Sequence, residues 1–148
     1  MDTDIIIPIY NAFDFTKKCI ETVIEHTDLT KHTLLLINDK STDQRILPLL
    51  NLFTTEYPSL NITIINNESN QGFVRTVNIG MQHSSRDVVL LNSDTEVTKN
   101  WLPKIQKCGY SKAAIATVTP LSNNATLASV PDFMSENTIP SDFTIEEY

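Results

Sequence analysis

Ile5–Asn11 reads I-I-I-P-I-Y-N, and its first five residues are an apolar run that closes at Ile9. A strand with one wet face alternates apolar and polar residues, whereas a strand covered on both faces has no reason to. Ile5–Ile9 therefore reads as a central strand of a parallel sheet. The chain on its C-terminal side repeats the theme. Ala12–His26 has helical spacing, with Phe15, Cys19 and Val23 on one stripe and Ile20 and Ile24 beside it. Thr33–Asn38 (T-L-L-L-I-N) reads as a second buried strand, Asn61–Ile65 as a third, Asp87–Leu91 as a fourth and Ala113–Thr119 as a fifth. Between them, Ser41 and Gln44 have capping-box spacing and open a helix carrying Ile46, Leu49, Leu50 and Phe53. Gly72–His83 reads as a helix with Phe73, Val77 and Met81 on its buried stripe. Thr98 is placed to cap a further helix bearing Trp101, Leu102 and Ile105.

Alternating strands and helices with apolar strands predict an α/β fold, a Rossmann-like and mainly parallel sheet with helices on both faces. Right-handed crossovers put every strand's carboxyl end on one edge, where such sheets bind ligands. The residues that fall there are Pro8, Tyr10 and Asn11; Asn38, Asp39 and Lys40; Asn66, Asn67 and Asn70; and Asn92, Asp94 and Glu96. The last group belongs to D-V-V-L-L-N-S-D-T-E-V at Asp87–Val97, where a short apolar strand runs straight into two carboxylates one residue apart. Such a pair repels itself and loses hydration, so a cation is its natural partner. Hard oxygen ligands suit Mg²⁺ or Mn²⁺, which also grips phosphate.

The bulk properties exclude other classes. With 148 residues the chain can build one domain with a real core. Its net charge of −7 argues against nonspecific nucleic-acid binding. The charge is uneven: from Asp132 onward there are the acids Asp132, Glu136, Asp142, Glu146 and Glu147 and no Lys or Arg. No apolar run has the length of a membrane span, and Asp2 and Asp4 stand where a secretion signal carries basic residues. A cytoplasmic protein is expected, either free or peripheral to the inner face of the membrane. Cys19 and Cys108 have no metal or redox spacing and are expected as plain thiols. With only Gly72, Gly80 and Gly109 as glycines, neither G-x-G-x-x-G nor G-x-x-x-x-G-K occurs, which removes the dinucleotide dehydrogenases and P-loop NTPases. No G-x-S-x-G elbow supports a hydrolase. A nucleotide bound here needs its pyrophosphate neutralised by a metal on Asp94 and Glu96.

Five segments, in order, resemble the N-terminal half of an inverting family 2 glycosyltransferase of the GT-A fold. They are I-I-I-P-I-Y-N at Ile5–Asn11, L-L-I-N-D-K-S-T-D at Leu35–Asp43, N-x-G-F at Asn70–Phe73 with Arg75 and Asn78 after it, L-L-N-S-D-T-E-V at Leu90–Val97 with Trp101-Leu102, and P-L-S-N-N-A-T at Pro120–Thr126. The last is similar to a segment of bacterial members that act on cell-surface polysaccharides. The resemblance implies a nucleotide-sugar-binding α/β domain over residues 1–120 and an irregular acidic tail over 121–148. It implies that Pro8, Tyr10 and Asp39 frame the base and ribose, with Asp39 accepting the imide N–H of uracil or thymine, and that Asn11 belongs to the nucleotide-binding turn. Asn70 and Arg75 would lie near the nucleotide, Asp94 would face ribose and metal, and Glu96 would bind the Mg²⁺ or Mn²⁺. The implied partners are a UDP- or dTDP-sugar and a glycan or lipid-linked acceptor.

The chain departs from the family pattern at Asn38, which replaces an Asp, at Lys40, which replaces a Gly, and at Glu96, which ends the D-x-D motif in place of Asp. Relatives continue for roughly another hundred residues, about a further small domain. That part carries the acceptor site and the general base an inverting transfer needs. No such base is identifiable here, so the chain reads as the truncated, donor-binding half of an enzyme, inactive alone in transfer and prone to self-association. A noncatalytic module that kept the fold is the competing reading. A sugar-nucleotide pyrophosphorylase is disfavoured, because P-I-Y-N-A-F lacks that family's Gly-rich basic loop.

Overall fold

The structure is a computed structural model, and it describes residues 2–124 and 128–138. Two compact units divide the chain, Met1–Val97 and Thr98–Tyr148. In the first, strands and helices alternate as β1 (Thr3–Ile9), α1 (Phe13–His26), β2 (Thr33–Asn38), α2 (Ile46–Glu56), β3 (Ile62–Asn66), α3 (Phe73–His83) and β4 (Asp87–Leu90). The four strands form one sheet in the order β3-β2-β1-β4. Every pairing is parallel. The chain steps outward from β1 to β2 to β3, then returns past β1 to lay down β4. Right-handed crossovers therefore put α1 and α2 on one face and α3 on the other.

Strand alternation agrees with that assignment. Ile6 on β1 lies opposite Leu35 on β2, so Ile6, Leu35 and Ile37 share one face. They form a buried cluster with Ile65 and Val88 packed against it. The α3 helix lies on this face at very close range. A Cβ on Gly80 would stand 2.6 Å from Ile37 Cδ1 and 2.7 Å from Ile6 Cγ2. The buried stripe of α3 is accordingly Thr76, Val77 and Gly80. Phe73 and Met81, expected on it, are exposed. The reason is steric: a helix seated this close has room only for small side chains beneath it, and the large ones turn outward. The α1 stripe shifts for a related reason. Thr16, Cys19, Ile20, Thr22 and Val23 are buried while Phe15 is exposed. The threonine hydroxyls donate to the Asn11 and Cys19 carbonyls, at 3.2 and 3.0 Å, and so can be buried.

Burial on both faces holds for β1 and β2 but not for the outer strands. β3 is half-buried, and Leu90 at the end of β4 is 45% exposed. The capping box at Ser41 is also replaced. Ser41 Oγ accepts the Asn11 N–H at 2.9 Å, and α2 starts only at Ile46, after Arg45. Asn11 outcompetes the helix because it lies across the sheet edge, where sequence spacing does not reach.

The second unit opens with α4 (Trp101–Gly109), preceded by Asn100 in a left-handed conformation rather than by a Thr98 cap. Trp101 and Leu102 are buried. The fifth strand expected at Ala113–Thr119 is absent. A turn occupies its start, and the rest is irregular and exposed apart from the half-buried Ile115 and Val118. Apolar residues alone do not make a strand, which needs a ladder partner. Among the described residues after β4 the only pairings are isolated bridges, Ser122 with Ser129 and Asn124 with Glu136. Asn137 organises this region from inside. Its amide donates to the Asn123, Asp132 and Ser135 carbonyls, and its Oδ1 accepts the Asp132 N–H at 2.9 Å. The end of the Pro120–Thr126 segment and the acids Asp142, Glu146 and Glu147 lie outside the described residues.

Candidate functional site

The strand order reverses between β1 and β4, and in open parallel sheets the crevice beyond such a reversal is where ligands bind. The loop leaving β4 supplies its acids. Leu91 extends the ladder by donating its N–H to the Ile6 carbonyl at 3.0 Å. Asn92 to Thr95 then form a turn closed by the Thr95 N–H on the Asn92 carbonyl at 3.2 Å. Buried Leu91 and Val97 anchor the two ends, so the tip is fixed while Asp94 and Glu96 stay exposed. Neither carboxylate is held by a hydrogen bond or an ion pair among the described residues.

The α1 helix clamps this loop from beneath. Cys19 Sγ donates to the Asn92 carbonyl at 3.4 Å, and Thr22 Oγ1 accepts the Val97 N–H at 3.2 Å. Burial pushes the Cys19 thiol up to about 12; the Thr95 N–H opposes this in part, and the charges of Asp94 and Glu96 add to it. The thiol is therefore neutral at ordinary pH, and it can donate and accept at once.

The loops after β1, β2 and β3 are knitted into one rim. Asn11 and Ala12 both adopt left-handed backbone, with φ of 61° and 53°. Asn11 Oδ1 accepts the N–H groups of Thr42 and Asp43, each at 2.8 Å. Pro8 is half-buried just inside this turn, and Tyr10 stands 48% exposed beside it. Lys40 has φ 58°, a left-handed conformation that glycine adopts more readily than lysine. Asn38, the other departure, donates through Nδ2 to Asn66 Oδ1 at 3.0 Å and accepts the Ser41 N–H at 3.0 Å, so it ties β3 to the β2 loop.

Asp39 has a role that sequence reasoning missed. It is 4% exposed. Its Oδ1 accepts the Gln71 N–H and the Asn67 amide, both at 2.8 Å, and its Oδ2 accepts the Gly72 N–H at 2.9 Å. Burial pushes this carboxyl up, but the Gln71, Asn67, Thr76 and Gly72 donors together outweigh it and hold the pKa below the usual value. Asp39 thus gathers the entrance of α3. Asn70, exposed, accepts the same Gly72 N–H at 3.1 Å, and Arg75 is exposed one turn further on. Nothing near Asp39 in sequence announces this, because Asn67, Gln71 and Gly72 lie about thirty residues away in the chain.

Asp94 and Glu96 are the carboxylates that would hold a divalent cation. No group of three or more His, Cys, Asp or Glu gathers among the described residues. A pair of carboxylates alone cannot fill the shell of Mg²⁺ or Mn²⁺, but these ions keep several positions for water and substrate phosphate, so the pair fits such an ion bound together with a ligand.

The family model for glycosyl transferase family 2 matches residues 4–125. No curated protein sequence matches the chain. Among solved structures, it is similar to the mannosyltransferase PcManGT from Pyrobaculum calidifontis, in complex with GDP-Man and Mn²⁺, at 18% identity and a TM-score of 0.66, covering 71% of this chain and 31% of that one. It is also similar to TarS from S. aureus in complex with UDP-GlcNAc, at 21% identity and a TM-score of 0.60, covering 72% of this chain and 30% of that one. The chain thus spans about a third of the mannosyltransferase and of TarS residues 1–349, and 19% of a longer TarS chain. The likeness is one of fold.

Proposed function

This chain belongs to glycosyl transferase family 2 and has the GT-A fold, and from that premise we propose that it binds the donor, a nucleotide-diphosphate sugar, with a divalent cation. The observation that carries the reading is the loop of Asp94 and Glu96: two exposed carboxylates, with no hydrogen bond or ion pair among the described residues, on an anchored turn at the point where the strand order reverses. With no glycine-rich phosphate loop in the chain, a diphosphate placed there needs positive charge from elsewhere. Asp94 and Glu96 would hold Mg²⁺ or Mn²⁺, and the ion would supply charge neutralisation for the diphosphate as it leaves the sugar. Solved proteins of this fold carrying Mn²⁺ with GDP-Man, and UDP-GlcNAc, support both the cation and the class of donor.

The chain's own residues prepare the rest. Tyr10 offers an exposed ring at the end of β1, and Pro8 and Asn11 set the turn that presents it. Asn70 and Arg75 stand at the entrance of α3, where Arg75 adds positive charge near the donor. Asp39 fixes the backbone of Gln71 and Gly72 around that entrance. Uracil or thymine is the proposed base, and the acceptor is a glycan or a lipid-linked sugar in polysaccharide assembly.

Titration of UDP, dTDP, GDP and ADP by calorimetry, with Mn²⁺ and then with chelator, tests the reading. UDP or dTDP is expected to bind most tightly, and only with metal. Asp94→Asn should weaken the Mn²⁺-dependent binding by about 2–4 kcal/mol, as expected for removing one charged partner. Equal affinity with and without metal would remove Asp94 and Glu96 from the site.

A further inference from the structure

We infer that Cys19 and Thr22 on α1 are positioning residues for the cation: their side chains set the shape of the acidic loop that would hold it. The inference rests on the proposed donor site and adds residues that no D-x-D pattern contains. Two hydrogen bonds carry it. The Cys19 thiol donates to the Asn92 carbonyl at 3.4 Å, at the first residue of the turn. Thr22 Oγ1 accepts the Val97 N–H at 3.2 Å, just past Glu96. Asp94 and Glu96 are therefore bracketed at positions 92 and 97 by two side chains one helical turn apart.

The chemistry of these groups suits the task. Two like charges held side by side push the loop open until a cation arrives. A rigid backbone must hold them converged beforehand, since a loop that must be ordered on binding costs affinity. A neutral thiol can do this without adding a third negative charge beneath the pair. Thr22 spends its hydroxyl proton on the Cys19 carbonyl at 3.0 Å, which leaves its lone pair aimed at Val97. The two residues thus lock each other as well as the loop.

The test is Mn²⁺ binding, read by electron paramagnetic resonance in the presence of UDP, on the parent and on Cys19→Ala, Cys19→Ser, Thr22→Val and Thr22→Ser. Cys108→Ala, at an exposed thiol in the other unit, is the control. Groups that orient metal ligands typically cost about 10-fold or more in metal affinity when removed, and that loss is expected for Cys19→Ala and Thr22→Val. The serine variants keep a donor and an acceptor and should recover most of the affinity, which a purely volumetric effect would not give. Thermal midpoints identify any variant that fails to fold, and the Thr22 pair then decides the matter alone. If the parent binds Mn²⁺ and UDP, and the alanine and valine variants bind within about twofold of it, the positioning role is wrong while the donor site stands. Serine variants as weak as alanine and valine would overturn it equally. If the parent binds no Mn²⁺ with UDP, the donor-site reading fails first and the inference goes with it.

Discussion

Asp39, read from sequence as a residue that faces the base, is tied by the fold to Asn67, Gln71 and Gly72 of its own chain. Its position after β2 was legible, and so was its place on the ligand-binding edge. Its partners were not, because Gln71 and Gly72 meet it only after β3 has been laid beside β2. Asp39→Asn places an amide N–H against the Gly72 N–H in a buried site, where a lost charged hydrogen bond costs about 2–3 kcal/mol. Thermal stability and UDP affinity should therefore fall together. A variant that loses UDP affinity at an unchanged midpoint would show that Asp39 instead reads the base directly. Cys19 offers a second test at this scale. Its thiol stays protonated in the fold up to about pH 12 but ionises from about pH 9 in the unfolded chain. Ionisation above 9 then favours the unfolded state, so stability present below pH 9 is lost as pH rises toward 12. Urea midpoints at pH 8 and 10.5 should fall further for the parent than for Cys19→Ser. Iodoacetamide at pH 8 should label Cys108 and leave Cys19 unmodified, and labelling of Cys19 in the folded chain would contradict its burial.

Among the elements, α3 is the one whose sequence misleads most. Its large apolar residues at helical spacing suggest Phe73, Val77 and Met81 as the inward stripe, yet Gly80 makes the closest approach to the sheet. Two effects compete in Gly80→Ala. Alanine gains about 1 kcal/mol of helix propensity. Overpacking costs about 1–3 kcal/mol, and Ile6 Cγ2, on a β-branched carbon in a central strand, has little room to yield. Packing wins, so the midpoint should drop by a few degrees, and an unchanged or raised midpoint would mean that the helix can lift without penalty. The strands were read more faithfully, because a run such as Leu34–Ile37 has one stable environment. The missing fifth strand marks the limit of that logic: Ala113–Thr119 has suitable residues but forms no ladder among the described residues.

For the whole molecule, the alternation of strands and helices was enough to announce a parallel sheet, but not that the outer strands would be half-covered. Leu90 on β4, with Phe73 (58% exposed) and Val74 on α3, leaves apolar surface and a strand edge open to a partner. Light scattering after size exclusion should show mass rising with protein concentration, and Val74→Lys should suppress it. A parent that stays monomeric across the range would contradict this. The stapling of the rim by Asn11 reaches beyond stability. Because one side-chain oxygen holds both Thr42 and Asp43, the turns after β1 and β2 behave as a single mechanical piece. On the proposed donor site, a ligand settling on Tyr10 could not tilt its own turn without dragging the neighbouring one. The stiffness it feels is set by residues it never touches, and any drift that loosens this joint would blunt recognition with every contacting side chain still in place.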